Sequence, residues 1–327
     1  MEASMDIKIL LLLQKFRNGA GSILAEFMTK MTFLGDLYTV VVIMAIVYWC
    51  FSKKLGSYIL LGWSGNRIVN GFLKVTFCAY RPWIRDASVI PHGNALETAT
   101  GYSFPSGHSM NAATVFGGVA VRRDMPKLLR VTMFIIVFLV AFSRSFLGVH
   151  TPQDILIGTI CGLLVMWLIS LLVNWIDRNP SKDWLVACIG IGLAVLVAIY
   201  AAVKTYPEDY DEAGKIIVEG AKMAKDTYRC VGWSIGILAG WLMERRFVNF
   251  TTDGISMVTR LTRAATGGLF YYALTLILQP LITKWIPGPA GVMISCFVQL
   301  FFVMFIFPWI IVRFEKKIQE KKPAGAN

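Results

Sequence analysis

Two histidines and one carboxylate stand out for what accompanies them. His150 precedes Thr151, Pro152, Gln153 and Asp154, so Asp154 lies four residues on, one helical turn away. A carboxylate at that spacing accepts a hydrogen bond from one imidazole nitrogen and leaves the other with a free lone pair, the arrangement of an oriented nucleophile or base. Thr151 suits an N-cap and Pro152 a first helical residue. His108 closes the run Pro105, Ser106, Gly107, His108 ahead of an apolar stretch. Backbone N–H groups at such a helix start bind anions, and Gly107 lets a ligand approach the backbone closely. Lys74 and Arg81 are seven apart, two turns on one face if one helix carries both, and Arg144 closes another apolar stretch. Three cations without as many nearby acids fit an anionic ligand. A guanidinium fork matches phosphate oxygens, and Lys acts as a point charge. Taken singly, each group has an ordinary role: Lys74 snorkels, Ser106 caps, Asp154 favours a helix dipole.

The elements that must position these groups are membrane helices. The chain has 327 residues, of which 56% are hydrophobic and 16% charged, with a mean hydropathy of +0.60. That is too apolar for a soluble domain of this length. Uncharged windows long enough to cross a bilayer core recur along it, and the alternation of an outer-membrane barrel is missing. The fold class expected is all-α, a polytopic transmembrane bundle of about nine spans, near 33–51, 55–77, 107–121, 131–147, 154–174, 184–203, 231–243, 264–284 and 289–312. The first six would form a core over 31–203, and the last three a C-terminal extension over 231–327. Residues 7–29 read as one interfacial helix with Lys8, Lys15 and Arg17 among apolar residues, giving an N-terminal unit of 1–30. No signal-peptide layout appears there.

Orientation follows from the loops. With the N-terminus outside, the inner segments carry Lys53 and Lys54; Arg122, Arg123, Lys127 and Arg130; Arg178 and Lys182; Arg245, Arg246, Arg260 and Arg263; and Arg313, Lys316, Lys317, Lys321 and Lys322. These are more than half of the 32 Lys and Arg, so much of the net charge of +12 is positive-inside bias rather than a nucleic-acid surface. This orientation, with the C-terminus cytoplasmic, sets Lys74, the 78–106 loop and the 143–154 turn on one outer face. There the ionisable groups converge, and a span end tolerates such groups only when paired or functional.

The pattern Lys74-x6-Arg81-Pro82, Pro105-Ser106-Gly107-His108, Ser143-Arg144-x5-His150-x3-Asp154 resembles the lipid phosphate phosphatase superfamily, also called the type 2 phosphatidic acid phosphatases. Three ordered motifs fit, and the resemblance covers roughly residues 30 to 175. It implies a hydrolase in which His150 attacks phosphorus and becomes a phosphohistidine, and Asp154 orients His150. His108 would protonate the leaving oxygen and then activate water. Lys74, Arg81, Ser106, Gly107 and Arg144 would hold the phosphate. It implies no metal and no cofactor, and a plasma-membrane enzyme acting on undecaprenyl diphosphate, phosphatidylglycerophosphate, phosphatidic acid or a sphingoid-type phosphate, with family precedent favouring the diphosphate or a phosphatidyl phosphate.

Other readings compete. Vanadium haloperoxidases share these motifs but are soluble, and a transporter or scramblase would carry its charges at mid-membrane rather than at one face. A phosphotransferase on the same core is a further alternative. The expected partners are the lipid phosphate, membrane lipids and a second copy of the chain, with no nucleic acid. Residues 204–230 read either as an interfacial helix roofing the site or as a solvated connector. Arg85 and Asp86 are read as a local pair or a head-group contact, and His92 as a loop residue. The six Cys include no CxxC pair. Cys78 and Cys230 fall near the outer face, where a bridge between them is left open.

Overall fold

The computed structural model describes residues 4–19, 21–211 and 213–320. Lys321 and Lys322 of the expected basic tail lie outside the described residues. The described residues are all-helical, apart from one isolated bridge pairing Tyr210 with Ile216.

Helices α1 (Met5–Gly19) and α2 (Ser22–Phe33) replace the single interfacial helix expected over 7–29. The interruption falls at Gly21, whose φ of +83° is incompatible with a continuing helix. Helix α3 (Leu37–Ile46) is N-capped by Asp36, which accepts from the Tyr38 N–H at 3.1 Å, and runs on to Phe51 through a π-turn. Next comes α4 (Lys53–Phe77), capped by Ser52. It ends at Cys78, which takes a left-handed conformation at φ +48°. Arg81 therefore does not continue the helix that carries Lys74; it sits in the turn ahead of α5 (Pro82–Arg85). Helix α6 (Gly107–Ala112) passes through a π-turn into α7 (Gly118–Ala120), and α8 (Lys127–Phe146), α9 (Pro152–Arg178) and α10 (Asp183–Val203) follow.

The C-terminal part differs from expectation at its start. Helix α11 (Gly220–Met243) begins well before 231, so the short seventh segment is the second half of a 24-residue helix. The described chain before it, 204–211 and 213–219, is irregular. Ala221, Lys222, Met223, Ala224 and Lys225 are good helix formers, and Ala224, Thr227 and Tyr228 are buried, so this polar-looking sequence folds as helix against neighbours. Then come α12 (Met257–Ala273), α13 (Gln279–Trp285), α14 (Gly288–Phe301) and α15 (Phe307–Glu320).

Five helical stretches are long and apolar enough to cross a membrane: Lys127–Phe146, Pro152–Arg178, Pro180–Val203, Met257–Trp285 and Gly288–Lys316. A sixth is added if α2 and the Leu37–Phe51 stretch, bent by 53°, count as one span. The chain is thus a multi-pass membrane protein. Its outward faces carry exposed Phe138, Leu156, Trp167, Leu196, Leu269 and Ile277, the surface lipid tails require. Helices α4 and α11 fall outside this set for a physical reason: they sit among other helices and bury polar groups. Ser64, Asn66, Arg67 and Asn70 of α4 are buried, as are Thr227 and Ser234 of α11. The two helices are bound by Thr227 Oγ1 donating to the Gly71 carbonyl at 3.0 Å and Ser234 Oγ to the Ser64 carbonyl at 3.0 Å. Where lipid gives no hydrophobic drive between helices, such bonds and close packing hold them.

One end of the bundle gathers the positively charged segments. Lys53 pairs with Glu244 at 2.8 Å, Lys54 with Asp177 at 2.8 Å, and Arg245 and Arg246 with Asp183 at 3.2 and 2.6 Å. Helix α11 packs against α14 through Gly232, Gly236 and Gly240, spaced four apart. A Cβ at Gly232 would lie 2.2 Å from the Met293 carbonyl oxygen, and one at Gly236 2.4 Å from that of Phe297. Gly236→Ala therefore must force the two helices apart. It is expected to cost about 1–3 kcal/mol, read as a lowered Tm in detergent. Gly268→Ala on α12, where a Cβ meets nothing within 4 Å, is expected not to lower it.

Candidate active site

At the end opposite the paired cations, a cavity of about 280 Å³ is lined by Lys74, Arg81, Gly107, His108 and His150. They come from the end of α4, the α4–α5 turn, the start of α6 and the α8–α9 turn. Five of the eight expected site residues therefore meet in one space. Ser106, Arg144 and Asp154 are not among its lining residues; Asp154 stands against His150, and Ser106 caps the helix that carries Gly107 and His108.

The α8–α9 turn is built by its own sequence. Gly148 takes φ +77°, which reverses the chain after α8. Thr151 then caps α9 in a capping box: its hydroxyl accepts from the Asp154 N–H at 3.3 Å, and an Asp154 carboxylate oxygen accepts from the Thr151 N–H at 2.9 Å. That same oxygen, Oδ2, accepts from the Ser103 hydroxyl at 2.6 Å and lies 3.2 Å from His150 Nδ1. Asp154 is thus fixed by the helix start before it meets the imidazole. Burial, together with the Arg81 guanidinium beside it, holds His150 down to a pKa of about 3. The ring is neutral at every pH near 7, with Nδ1 donating to Asp154 and the lone pair on Nε2. Arg81 Nη1 faces that nitrogen at 2.9 Å.

The cations are held by backbone carbonyls rather than by acids. Arg81 donates from Nε to the Gly101 carbonyl at 3.0 Å, from Nη1 to that of Val149 at 3.2 Å, and from Nη2 to that of Thr100. Lys74 Nζ donates to the Tyr102 carbonyl at 2.6 Å and that of Thr100 at 3.4 Å. Arg144 is wholly buried, donates to Thr32 Oγ1 at 2.8 Å and, more weakly, to Thr98, and has no partner at Nε. Ser106 caps α6, and its N–H donates to the Asp154 carbonyl at 3.0 Å, tying the start of α6 to the start of α9. His108 Nε2 has no partner. Neutral carbonyls leave the net positive charge of this corner intact, so it favours an anion.

Other expectations resolve differently. Arg85 pairs with Asp6 of α1 at 2.6 Å, and Asp86 instead accepts from the Ser88 N–H at 2.9 Å. The nearest acid in sequence was outbid by one that helix packing brings alongside. His92 donates its backbone N–H to Leu147 and lies in the loop as expected. Cys78 and Cys230 are both free thiols. A larger cavity, about 500 Å³, lies at the other end around Lys53, Lys54 and Arg245, but those cations already hold acids and no histidine lines it.

Sequence reasoning missed part of the wall. Arg67 and Asn70 of α4, Asp226, Arg229 and Trp233 of α11 and Gln279 of α13 also line the cavity. Arg67 and Asn70 had a readable signal: with Lys74 they occupy one face of α4, at spacings of three and four. Asp226 and Arg229 had a weaker one, because the stretch that carries them reads equally as an interfacial helix roofing the site and as a solvated connector. Asp226 Oδ2 accepts from the Thr100 hydroxyl at 2.7 Å, and so grips the turn whose carbonyls hold Lys74 and Arg81.

A model of the PAP2 superfamily matches residues 39–178, and one described as the transmembrane extension of PAP2 superfamily phosphatases matches residues 228–321. A phosphatidylglycerophosphatase B of Bacillus subtilis is 34% identical over 171 residues, covering 49% of this chain and 80% of the relative. An undecaprenyl-diphosphatase of Sulfolobus acidocaldarius is 36% identical over 83 residues, covering 25% of this chain and 38% of the relative. The crystal structure of a transmembrane PAP2-type phosphatidylglycerolphosphate phosphatase from Bacillus subtilis aligns at 29% identity with a TM-score of 0.43, over 53% of this chain and 86% of that one.

The grip on the 100–101 turn is testable. Gly101 takes φ +64°, and a Cβ there would lie 2.7 Å from Asp226 Oδ2. Gly93 takes φ +55° with nothing within 4 Å of a Cβ. Both alanine variants pay the backbone strain of about 1–2 kcal/mol. Gly101→Ala is expected to lower Tm further than Gly93→Ala, by the cost of displacing Asp226. Equal shifts would show that the Asp226 contact carries no stability.

Proposed function

Because this chain belongs to the PAP2 superfamily, we propose that it is a membrane phosphatase that removes phosphate from a lipid head group through a phosphohistidine intermediate, without a metal. The observation that carries this reading is the line Asp154–His150–Arg81: a neutral imidazole oriented from one side, with its attacking nitrogen already beside a guanidinium.

A substrate phosphate entering the cavity takes over the Arg81 fork that faces His150, with Lys74 and the Gly107 N–H on its remaining oxygens; the family pattern adds Arg144 and the Ser106 hydroxyl, neither of which lines the cavity before the phosphate binds. The His150 Nε2 lone pair forms the N–P bond as the P–O bond to the lipid breaks. His108, protonated beside the bound dianion, gives its Nε2 proton to the leaving oxygen. Asp154 stabilises the positive charge left on the phosphorylated imidazole. Neutral His108 then takes a proton from water, whose oxygen attacks phosphorus. The N–P bond breaks, inorganic phosphate leaves, and both histidines return to their starting states. The chain's own cations balance the phosphate charge, so the reading needs no divalent ion.

The proposed setting is the plasma membrane. The chain would cross it about nine times, with the N-terminus outside, the C-terminus in the cytoplasm and the cavity at the outer face. A core over 31–203 would carry the chemistry, with 1–30 at the interface, 204–230 leading into the extension, and 231–327 completing the bundle. The clustering of ion-paired cations at the other end supports this orientation. Undecaprenyl diphosphate and phosphatidylglycerophosphate are the favoured substrates, since relatives carry those names.

Phosphate release by the purified protein tests the mechanism. His150→Ala is expected to lose at least about 1,000-fold in kcat, and His108→Ala about 100- to 10,000-fold. A phosphoenzyme should accumulate in His108→Ala but not in His150→Ala. Activity is expected to survive excess chelator; its abolition, restored by added metal, would sink metal independence alone. Because His150 is neutral down to about pH 3, lowering the pH from 7 to 5 should not remove the nucleophile. An acid limb in that range should therefore persist unchanged in Asp154→Asn.

A further inference from the structure

The cavity holds more positive charge than one phosphate needs. The three equatorial oxygens of a reacting phosphate are already served by Lys74, Arg81, Arg144, Ser106 and Gly107 in the mechanism above, on which this inference rests. Arg67 and Arg229 also line the cavity and take no part in it.

Arg67 is the more telling. It is only 5% exposed, and among the described residues neither its Nε nor its Nη2 has a hydrogen-bond partner. Its guanidinium lies 5.2 Å from the Trp63 ring and has no acid paired with it. A buried guanidinium left in this state is costly, and an anionic ligand would remove the cost. Its Nη1 reaches to 4.0 Å from the position a Cβ would take on Gly107, so it borders the reacting phosphate's pocket. It stands two turns below Lys74, about 10 Å along α4. The Thr227–Gly71 hydrogen bond brings α11 against this part of α4, and Arg229 of α11 lines the same cavity. Arg229 holds Asp226 at 3.1 Å through Nη1, and Asp226 is also taken by Thr100. The remaining carboxylates of the lining are Asp36, which caps α3, and Glu97.

We infer that Arg67 and Arg229 form a second anion subsite, built jointly by α4 and the C-terminal extension, for a head group that carries a second phosphate. A lipid diphosphate and a phosphomonoester joined to a phosphodiester share this chemistry. A single-phosphate lipid such as phosphatidic acid leaves the subsite empty.

The test measures kcat/KM for farnesyl diphosphate, phosphatidylglycerophosphate and phosphatidic acid in the wild type, Arg67→Gln, Arg229→Gln and Arg67→Lys. The ratio of a two-phosphate substrate to phosphatidic acid is expected to fall about 10- to 100-fold in each Gln variant, the worth of one charge-assisted hydrogen bond, and to recover partly in Arg67→Lys. A fall confined to the diphosphate assigns the subsite to the α-phosphate that stays on the lipid, and one confined to phosphatidylglycerophosphate assigns it to the diester. Unchanged ratios in both Gln variants would overturn the subsite, even if overall activity drops. A second readout needs no turnover: pyrophosphate should raise the wild-type Tm more than orthophosphate does, and the difference should vanish in either Gln variant. A wild type inactive on every substrate would sink the phosphatase reading, and the pyrophosphate difference would then decide the subsite alone.

Discussion

Buried positive charge without matching buried negative charge is the constraint on which the rest of this structure turns. Lys74, Arg81, Arg144 and Arg67 are each at most 6% exposed, and among the described residues none forms an ion pair. Carbonyls of Thr100, Gly101, Tyr102 and Val149 carry the first two, and hydroxyls of Thr32 and Thr98 the third. Dipoles of this kind solvate a cation without cancelling its field, which is what a site for a multiply charged anion requires. A carboxylate in the same place would hold the cations more firmly and repel the ligand.

This constraint explains why the loops around the cavity are fixed. Carbonyls can serve as cation ligands only if the backbone that bears them is held in place. The Thr100–Gly101 turn is held by Asp226, the Val149–Thr151 turn by the capping box and Ser145, and the start of α6 by the Ser106 bond to the Asp154 carbonyl. Arg17 of α1 adds a further clasp, donating to the carbonyls of Phe146 at 2.8 Å and Ile90 at 2.9 Å. The N-terminal helices and α11 therefore both reach the turns that carry the chemistry-bearing residues, from opposite ends of the chain.

The extension is also part of the bundle's packing. Its glycines let α11 approach α14 closely, and its hydroxyls bind α4, so that a polar helix is enclosed where lipid would not accept it. Trp233 of α11 donates to Gln299 at 3.0 Å and stands 5.7 Å from Trp63 of α4, linking the three helices near the cavity floor. The proposed second subsite follows from the same placement, because α11, seated on α4, brings Arg229 to the cavity that Arg67 lines.

Much was legible from sequence because it is local. Apolar stretches, the Thr151-to-Asp154 cap, the Gly107 helix start and the one-turn spacing of His150 and Asp154 depend on residues within a few positions of each other, and each stands where periodicity placed it. The motif residues alone pointed to the family. Sequence did not determine which neighbour fills which face. It offered Asp86 or a head group for Arg85 when Asp6 was the partner, and left 204–230 between an interfacial helix and a connector where Asp226 and Arg229 stand on a 24-residue helix of the bundle. These depended on the order of helices in the bundle, since a polar or charged side chain is stabilised by whatever group the packing brings to it, however far off in the chain. The sequence by itself determined the residues that could do the chemistry; the tertiary structure decided what holds them, and which further cations share their cavity.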